Sequence, residues 1–503
     1  MLAKIWTPAF CGIEVIKVSV EVMISSGLPK FAIVGLPDKA ISEAKERIQS
    51  AFSAMGFSMP AKRVIVNLAP ADVVKEGSHF DLPIAVAILT ALGVMPEEEV
   101  QNYMILGELG LDGMIKPVNG ILPTSVAANA LGLGIICPER QVSEALWAGN
   151  NMVLGPENLI SLINHFKGTQ IISNSSEPPR FEEKYSVDMA DIKGQEMARR
   201  ALEIAAVGGH HLLMVGPPGV GKSMLASRLP TILPPMTARE ALEISTIKSV
   251  AGELGEKGLS IVRPFRSPHH TASQVALTGG GLHAKPGEVS LAHNGILFLD
   301  ELPEFSMQAL DSLRQPLETG VVSVARANGH ITYPAKFQLV AAMNPCKCGH
   351  FGEPDCQCAA APLCAQKYQN RISGPLYDRI DLTVGVENIN PWELANIEPS
   401  ESSEIVKDRV IKARMFQRDR LVKYFGNDFE KLNASLSGSE IEQSSNMTEE
   451  AKLLLTKSAE KLKLSARAYY KTMRVARTVA DMEFRDVVLP SDISLALNFR
   501  RKI

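Results

Sequence analysis

The feature that most constrains the fold is a glycine-rich stretch between an apolar run and a helical pattern. Residues 211–215 read His-Leu-Leu-Met-Val, the segment Gly216-Pro-Pro-Gly-Val-Gly-Lys-Ser223 follows, and a helical pattern begins at Met224. This order matches G-x-x-x-x-G-K-[ST] in its required context of strand, loop and helix. Backbone N–H groups and the helix N-terminus of such a loop attract phosphate oxygens. The alternative is an ordinary Gly/Pro connection between a strand and a helix.

The motif predicts a role for each part of the loop. Its glycines let the backbone close around phosphates, Lys222 reaches the β- and γ-phosphates, and the Ser223 hydroxyl binds Mg²⁺. ATP and Mg²⁺ are therefore the predicted cofactors. The predicted nucleotide-binding residues are Gly216, Pro217, Pro218, Gly219, Val220, Gly221, Lys222 and Ser223.

A second signal follows another apolar run, Gly295-Ile-Leu-Phe-Leu-Asp-Glu301. Asp300 suits an acid that positions Mg²⁺, and Glu301 suits the base that polarises the attacking water. Asn344 follows the apolar residues 339–343 and suits a side chain that orients this water. The alternatives are a core strand capped by solvated acids and an asparagine that caps the turn before Pro345. Together with the glycine-rich loop, these residues indicate an AAA+ ATPase core with an α/β fold over residues 188–389.

Composition limits the partners and the compartment. The chain has 503 residues, which suffices for about three or four domains. Its formal charge is −3, so a surface that binds nucleic acid would have to be local, for example inside a pore. We expect a cytoplasmic protein with no membrane partner, because the N-terminus lacks a secretory layout and the apolar run 82–95 is too short to span a bilayer.

Residues 1–165 read as a separate unit without a phosphate-binding loop. Alternating and apolar runs predict strands near 16–22, 31–37, 64–68 and 105–109. Helical spacing is found over 40–54, with Ile41, Ala44, Ile48 and Ala51 on one face, and over 82–92. The pattern predicts an α+β or α/β domain. Residues 166–187 have the composition of a linker.

This N-terminal unit resembles the Lon-protease-like domain of the ribosomal S5 domain 2 type. The resemblance rests on residues 67–72, 75–77, 80–84 and 107–113. A Lon protease uses a serine nucleophile and a lysine base, and the resemblance places Asp81 and Leu122 at those positions. Neither can do that chemistry, so we expect no peptidase activity. Ser78 is the nearby residue that could contradict this expectation.

Almost the whole chain resembles the ComM/YifB family of Mg-chelatase-like AAA+ proteins. Besides the motifs above, the resemblance rests on residues 265–271, 279–281, 371–376, 378–381 and 465–467. It implies a Lon-like domain, an AAA+ core and, over residues 390–503, a C-terminal helical lid. It also implies a homo-hexameric ring that acts on single-stranded or branched DNA through its pore. In bacteria that take up DNA, such proteins look like branch-migration helicases in homologous recombination during natural transformation, so the resemblance also implies a recombinase as a partner.

The resemblance also assigns two arginines. Arg379 looks like the arginine finger that enters the ATP site of a neighbouring subunit, where a fixed guanidinium stabilises charge on the transferred phosphoryl group. Its alternative is a surface ion pair with Asp378 or Asp381. Arg467 looks like sensor 2 of the lid, and its alternative is a surface arginine at a helix N-terminus. The lid helix near 401–423 should bury an apolar face, which we predict from Ile405, Val406, Val410, Ile411 and Met415.

Between the two ATP motifs, residues 263–287 resemble the helix-2 insert of this AAA+ branch, which faces the ring pore. His269 and His270 within it are a metal pair or, as we favour, imidazoles hydrogen-bonded in a shaped loop. Residues 318–337 read as a hairpin with an Asn-Gly turn. In related rings such a hairpin contacts DNA. Arg326 and Lys336 are therefore candidate phosphate contacts, and a solvated hairpin face is the alternative.

Five of the seven cysteines lie between residues 346 and 364. Disulfides are not expected in the cytosol, so the cluster raises the question of a metal. The two C-x-C pairs offer four thiolates to Zn²⁺, with His350 as a substitute ligand. The alternative is free thiols in a loop. The predicted zinc ligands are Cys346, Cys348, Cys356 and Cys358.

The sequence leaves three functions open. The first is an ATP-driven hexameric DNA motor. The second is a protein-remodelling factor, suggested by the Lon-like domain but weakened by Asp81 and Leu122. The third is a chelatase-type motor subunit, weakened because such subunits as a rule lack a Lon-like domain.

Overall fold

The structure, a computed structural model, describes residues 1–173, 185–254, 259–281, 284–326, 329–349, 351, 362–389 and 400–500. Its N-terminal part is built around a seven-stranded mixed sheet with the order β3-β4-β2-β1-β5-β8-β9. A separate two-stranded ribbon joins β6 and β7. These strands are β1 Leu2–Cys11, β2 Glu14–Ser25, β3 Lys30–Val34, β4 Arg63–Ala69, β5 Tyr103–Ile105, β6 Glu108–Leu109, β7 Ile115–Lys116, β8 Gly134–Ile136 and β9 Val153–Leu154.

Six helices accompany this sheet. The predicted apolar face of α1 is confirmed, since Ile41, Ala44, Ile48 and Ala51 are all buried. The strand predicted over 105–109 is wrong as one element, because the backbone breaks between β5 and β6. The helices are α1 Lys39–Ala54, α2 Asp81–Ala91, α3 Glu97–Val100, α4 Ile121–Ala130, α5 Val142–Leu146 and α6 Leu159–Phe166.

The pair of residues that would replace a protease dyad lies in this N-terminal part. Asp81 is fully buried and accepts hydrogen bonds from Arg47 Nε at 2.6 Å and Nη2 at 2.9 Å. Burial raises the pKa of Asp81, and the Arg47 guanidinium opposes this. Leu122 is also buried, and the Ser78 hydroxyl donates to the Glu108 carboxylate. None of these contacts is a serine–lysine pair.

The central part is a five-stranded, wholly parallel sheet with the order β11-β14-β17-β10-β18. Successive residues of β10 face opposite sides, so Leu212 and Met214 enter one apolar core and Leu213 enters another. Both faces of the sheet are therefore covered, as expected for a parallel sheet. Its strands are β10 Leu212–Val215, β11 Phe265–Arg266, β14 Ile296–Leu299, β17 Gln338–Met343 and β18 Leu382–Gly385.

Helices and two small ribbons surround this sheet. The segment 263–287 is not an insert throughout, because its residues Phe265–Arg266 are the edge strand β11 of the core sheet. The ribbons are β12 Gly279–Gly280 with β13 Lys285–Pro286, and β15 Val321–Arg326 with β16 Gly329–Pro334. The helices are α7 Glu196–Gly208, α8 Lys222–Ile232, α9 Ala238–Ala251, α10 Gln274–Thr278, α11 Glu288–Leu291, α12 Met307–Ser312, α13 Arg314–Thr319, α14 Leu363–Gln369 and α15 Gly374–Tyr377.

The C-terminal part is helical over its described residues, and it shares an apolar core with α7 and α8. The predicted apolar face of its first helix is half wrong. Val406 and Val410 are buried, but Ile405 and Met415 are 54% and 60% exposed. The helices are α16 Ser403–Phe425, α17 Gly438–Ser444, α18 Glu449–Lys461, α19 Ala466–Met482 and α20 Pro490–Asn498.

The N-terminal part contacts the core through buried polar groups. The Glu144 carboxylate accepts a hydrogen bond from the Leu122 backbone N–H at 3.0 Å and another from the Ser249 hydroxyl of α9 at 2.5 Å. Burial raises the pKa of Glu144, while these hydrogen bonds lower it. Since the N-terminal part is held against α9, its position depends on the segment between the two ATP motifs.

Candidate nucleotide-binding site

The predicted phosphate loop connects β10 to α8, as the sequence required. At Gly216 a side chain is excluded, because a Cβ there would lie 2.1 Å from the Val386 carbonyl oxygen. Gly221 has a φ of 89° directly before the first residue of α8. This left-handed backbone favours glycine. The two glycines therefore allow the chain to turn tightly and to present the N-terminus of α8 to the loop.

Lys222 points its ammonium group into this loop. Its Nζ donates to the carbonyl oxygens of Gly216 at 2.7 Å and Pro217 at 2.6 Å, and to Asn344 Oδ1 at 3.0 Å. The side chain is 8% exposed, and burial lowers the pKa of Lys222. The loop thus holds a positive charge at its centre, where a phosphate oxygen would be a stronger partner than these neutral acceptors.

The predicted magnesium residues meet at the carboxyl end of the sheet. Ser223 Oγ donates to Asp300 Oδ2 at 2.7 Å, and the Glu301 N–H donates to Asp300 Oδ1 at 2.9 Å. A hydroxyl beside a carboxylate is an oxygen set that suits Mg²⁺. The bound ion would neutralise charge developing on the phosphate oxygens. Glu301 is 51% exposed in its side chain, so its carboxylate remains accessible to water.

The structure has a cavity beside the phosphate loop that the sequence did not predict. It has a volume of about 280 Å³ and is lined by residues 191–193, 219–221 and 387–389, among others. These segments are far apart in the chain, so no local pattern could predict it. A cavity that adjoins the phosphate loop in this way suits the nucleoside part of the ligand.

His270 lies near the site, although the sequence did not predict a place for it beside the ATP residues. Its Nδ1 lies 3.3 Å from Glu301 Oε2, and its ring centroid lies 4.1 Å from that of His269. His269 Nδ1 in turn lies 2.8 Å from the Thr271 hydroxyl. This supports hydrogen-bonded imidazoles over a metal pair. The register of β11 beside β14 brings His270 to the acid, and no pattern in the sequence shows that register.

We expect His270→Ala to raise the rate of ATP hydrolysis that is measured with ATP and Mg²⁺ alone, without DNA or a protein partner. The imidazole competes with water for the Glu301 carboxylate, so its removal frees the base. A half-exposed contact of this kind contributes about 1 kcal/mol or less, which limits the increase to about fivefold. Steady-state kcat measures the effect, and His165→Ala in α6 is the matched control. A lower kcat would contradict the prediction and show that His270 supports the base.

Arg379 and Arg467 lie in a different pocket. Its volume is about 550 Å³, and its lining includes residues directly before four core strands, namely His211, Gly295, Phe337 and Asp381. The phosphate loop, Asp300 and Asn344 follow three of those strands. The strands are parallel and span four residues or more, so the two sites lie on opposite edges of the sheet, at least about 13 Å apart. Neither arginine is therefore beside the phosphate loop of its own chain.

The two arginines are held by one acid. Arg379 Nη2 donates to the Glu318 carboxylate, and Arg467 Nη2 lies 3.8 Å from the same group. The Arg379 side chain is 9% exposed, and burial lowers its pKa. The partner of Arg379 is thus Glu318, whereas Asp381 accepts from the His211 backbone N–H at 3.3 Å. The buried Nε of Arg379 has no hydrogen-bond partner within the described part of the chain.

The candidate DNA residues are separated from each other. Arg326 is the last residue of β15, at the hairpin tip, and its side chain lies outside what the structure describes. Lys336 follows β16 at the hairpin base and lines the pocket of Arg379. The predicted hairpin is confirmed in its described part, with Val321 opposite Pro334, but Gly329 is not in the turn as predicted, because it begins β16 and pairs with Arg326. A DNA contact for either residue stays a prediction.

The cysteine cluster is placed in part. Cys346, Cys348 and Cys364 have their sulfur atoms within 4.8 Å of one another. Cys356, Cys358 and His350 lie outside the described residues. The structure therefore describes two of the four predicted ligands, and it brings Cys364, which is outside the predicted set, beside them.

Comparisons with known proteins cover most of the chain. Family models described as "Magnesium chelatase, subunit ChlI", "Subunit ChlI of Mg-chelatase" and "Magnesium chelatase, subunit ChlI C-terminal" match residues 188–394, 20–141 and 400–500. Lon protease 2 of Bacillus subtilis is 28% identical over 138 residues, which cover 25% of this chain and 24% of that protein. No helix among the described residues has the length and apolar character needed to cross a membrane.

Relatives also match this chain over nearly its full length. Competence protein ComM of Haemophilus influenzae is 40% identical over 511 residues, covering 100% of this chain and 98% of the relative. The protein named YifB of Escherichia coli is 40% identical over 500 residues, covering 99% and 97%. With the phosphate loop, acids and parallel sheet described above, this identity shows that the chain belongs to the ComM/YifB family of Mg-chelatase-like AAA+ ATPases.

Proposed function

We propose that the protein is an ATP-dependent hexameric DNA motor, a branch-migration helicase that acts in the cytoplasm in homologous recombination during natural transformation. The observation that carries the proposal is the separation of the ATP site into two halves. The phosphate loop with its acids lies on one edge of the core sheet, and the pocket of Arg379 lies on the other. A complete site therefore needs two copies of the chain.

The pocket of Arg379 has the properties of a surface that receives a phosphate from another copy. Besides the two arginines, basic side chains from α19 and its neighbours line it, including Lys471 and Arg474. The Nε of Arg474 is buried and, like that of Arg379, unpartnered within the described residues. In such a contact, the edge of the sheet that carries the phosphate loop (the loop edge) faces the edge of the next copy that carries Arg379 (the arginine edge). A heterologous contact of this kind closes into a ring when the rotation between copies allows it.

We further propose that Arg467 acts on the neighbouring copy together with Arg379. The family resemblance assigns Arg467 to the lid as sensor 2, without a position relative to its own ATP. Its contact with Glu318 places it on the arginine edge. In this proposal, the Lon-like N-terminal domain and the helical lid over 390–503 have structural roles in the ring. The ion pair of Asp81 with Arg47 supports an N-terminal domain without peptidase activity.

DNA is the proposed partner because a relative named competence protein ComM matches this chain from end to end. The formal charge of −3 gives no general basic surface, so DNA contacts would lie in the ring pore, where the hairpin β15–β16 is the candidate element. A recombinase would be a partner in such a reaction. The similarity of 138 residues to Lon protease 2 favours protein remodelling as the second candidate.

The deciding experiment compares ATP hydrolysis with no additive, with single-stranded DNA, with forked DNA and with an unfolded protein. We expect DNA to raise hydrolysis and the protein to displace strands or move a branch point. Glu301→Gln should do neither, since an amide cannot accept the proton of the attacking water. Stimulation by unfolded protein instead of DNA would overturn the proposal in favour of remodelling.

A further inference from the structure

The loop after β17 and the start of α14 bring three thiols together. Cys346 Sγ and Cys348 Sγ lie 2.9 Å apart, and the sulfur of Cys364 completes a set within 4.8 Å. Cys346 is fully buried, whereas Cys348 is exposed. Because Cys364 belongs to a helix and the other two to a loop, the cluster is a tertiary contact that a C-x-C pair alone does not produce.

We propose that Cys346, Cys348 and Cys364 bind a thiophilic divalent metal ion such as Zn²⁺, which fastens the loop after β17 to α14. A Zn–S bond of about 2.3 Å in tetrahedral geometry separates sulfurs by about 3.8 Å, which is within the observed spread. Each thiol loses its proton to solvent as it binds the ion, and no electron is transferred. The metal site does not depend on the proposed DNA function.

The loop after β17 also contacts the nucleotide site. Asn344, which accepts a hydrogen bond from Lys222, lies two residues before Cys346. At Gly349, a Cβ would lie 2.7 Å from Pro218 Cδ of the phosphate loop. On the other side, Gln369 Nε2 of α14 donates to the Pro345 carbonyl oxygen at 3.0 Å. Release of the ion would loosen Asn344 relative to Lys222.

The test is metal analysis of full-length protein purified under reducing, chelator-free conditions. We expect the wild type to contain Zn²⁺ in a fixed ratio to protein, and Cys348→Ser and Cys364→Ser to lose it. Cys11→Ser, in the half-buried part of β1, is the matched control and should retain it. Since Cys348 is exposed, its replacement should leave the fold intact, which circular dichroism checks.

A second measurement uses Co²⁺ in place of Zn²⁺. Thiolate–cobalt charge-transfer absorption should be present in the wild type and in Cys11→Ser, and absent in the other two variants. Wild-type protein without metal, or Cys348→Ser and Cys364→Ser proteins that retain it, would overturn the proposal. ATPase assays with and without DNA are run in parallel, so that loss of metal and loss of the DNA response are scored separately.

Discussion

Replacing Arg379 by alanine should lower kcat for ATP hydrolysis by about 10³-fold or more and leave ATP binding nearly unchanged. The guanidinium stabilises charge on the transferred phosphoryl group, and arginines in this role contribute about 10³–10⁵-fold. Binding should survive because the phosphate loop, with Lys222 and Ser223, is unchanged and lies on the opposite edge of the sheet from Arg379 of the same chain. Steady-state hydrolysis and equilibrium binding of a labelled nucleotide measure the two effects. Arg371→Ala, which removes an exposed partner of Glu304, is the control.

Mixing two inactive variants tests whether Arg379 acts on a neighbour. Glu301→Gln lacks the base but retains the finger, and Arg379→Ala lacks the finger but retains the base. In mixed rings, a site with the loop of an Arg379→Ala copy and the arginine of a Glu301→Gln copy is complete, so hydrolysis should return. Each variant alone stays inactive. No recovery under conditions of proven subunit exchange would show that the two residues serve the same chain.

The phosphate loop and the polar residues that follow buried strands are each recognisable from a short stretch of sequence, and that is why they could be predicted. A strand, a glycine turn and a helix start follow one another at Val215, Gly216 and Lys222, so the phosphate loop needs no tertiary information. Asp300 and Asn344 each follow a buried strand, and parallel strands bring their carboxyl ends to one edge of a sheet. Short-range order therefore determines half of the ATP site.

The remaining features depend on which segments pack together. His270 reaches Glu301 because β11 pairs with β14, and Arg467 reaches Glu318 because α19 packs at the opposite edge of the sheet. Neither of these tertiary contacts produces a periodic pattern in the amino-acid sequence. The apolar face of α16 was half wrong for a related reason, because Gln417 and Arg420 are buried there while Met415 is exposed. A polar residue becomes a core residue when its partners are buried with it.

Those buried partners form a charged cluster inside the C-terminal helices. Arg420 Nε and Nη2 of α16 each donate to Asp481 of α19 at 3.0 Å, and Arg477 Nε donates to the same carboxylate at 3.1 Å. Asn433 Nδ2 adds a fourth hydrogen bond at 2.8 Å. The side chains of Asp481 and Arg477 are 0% exposed, and that of Arg420 is 4% exposed. One carboxylate thus serves two buried guanidinium groups.

Replacing Asp481 by alanine should destabilise the C-terminal helices by about 3–5 kcal/mol, because it leaves two buried cations without the carboxylate they share. Urea unfolding of the full-length chain, followed by circular dichroism, should show an early helical transition that the wild type lacks. Glu483→Ala removes the exposed pair with Arg200 on the same segment and should change stability by about 1 kcal/mol or less. A shift for Asp481→Ala as small as that of this control would contradict the prediction. Since α19 begins one residue before Arg467, unfolding of these helices should also displace that arginine from Glu318 and lower ATP hydrolysis.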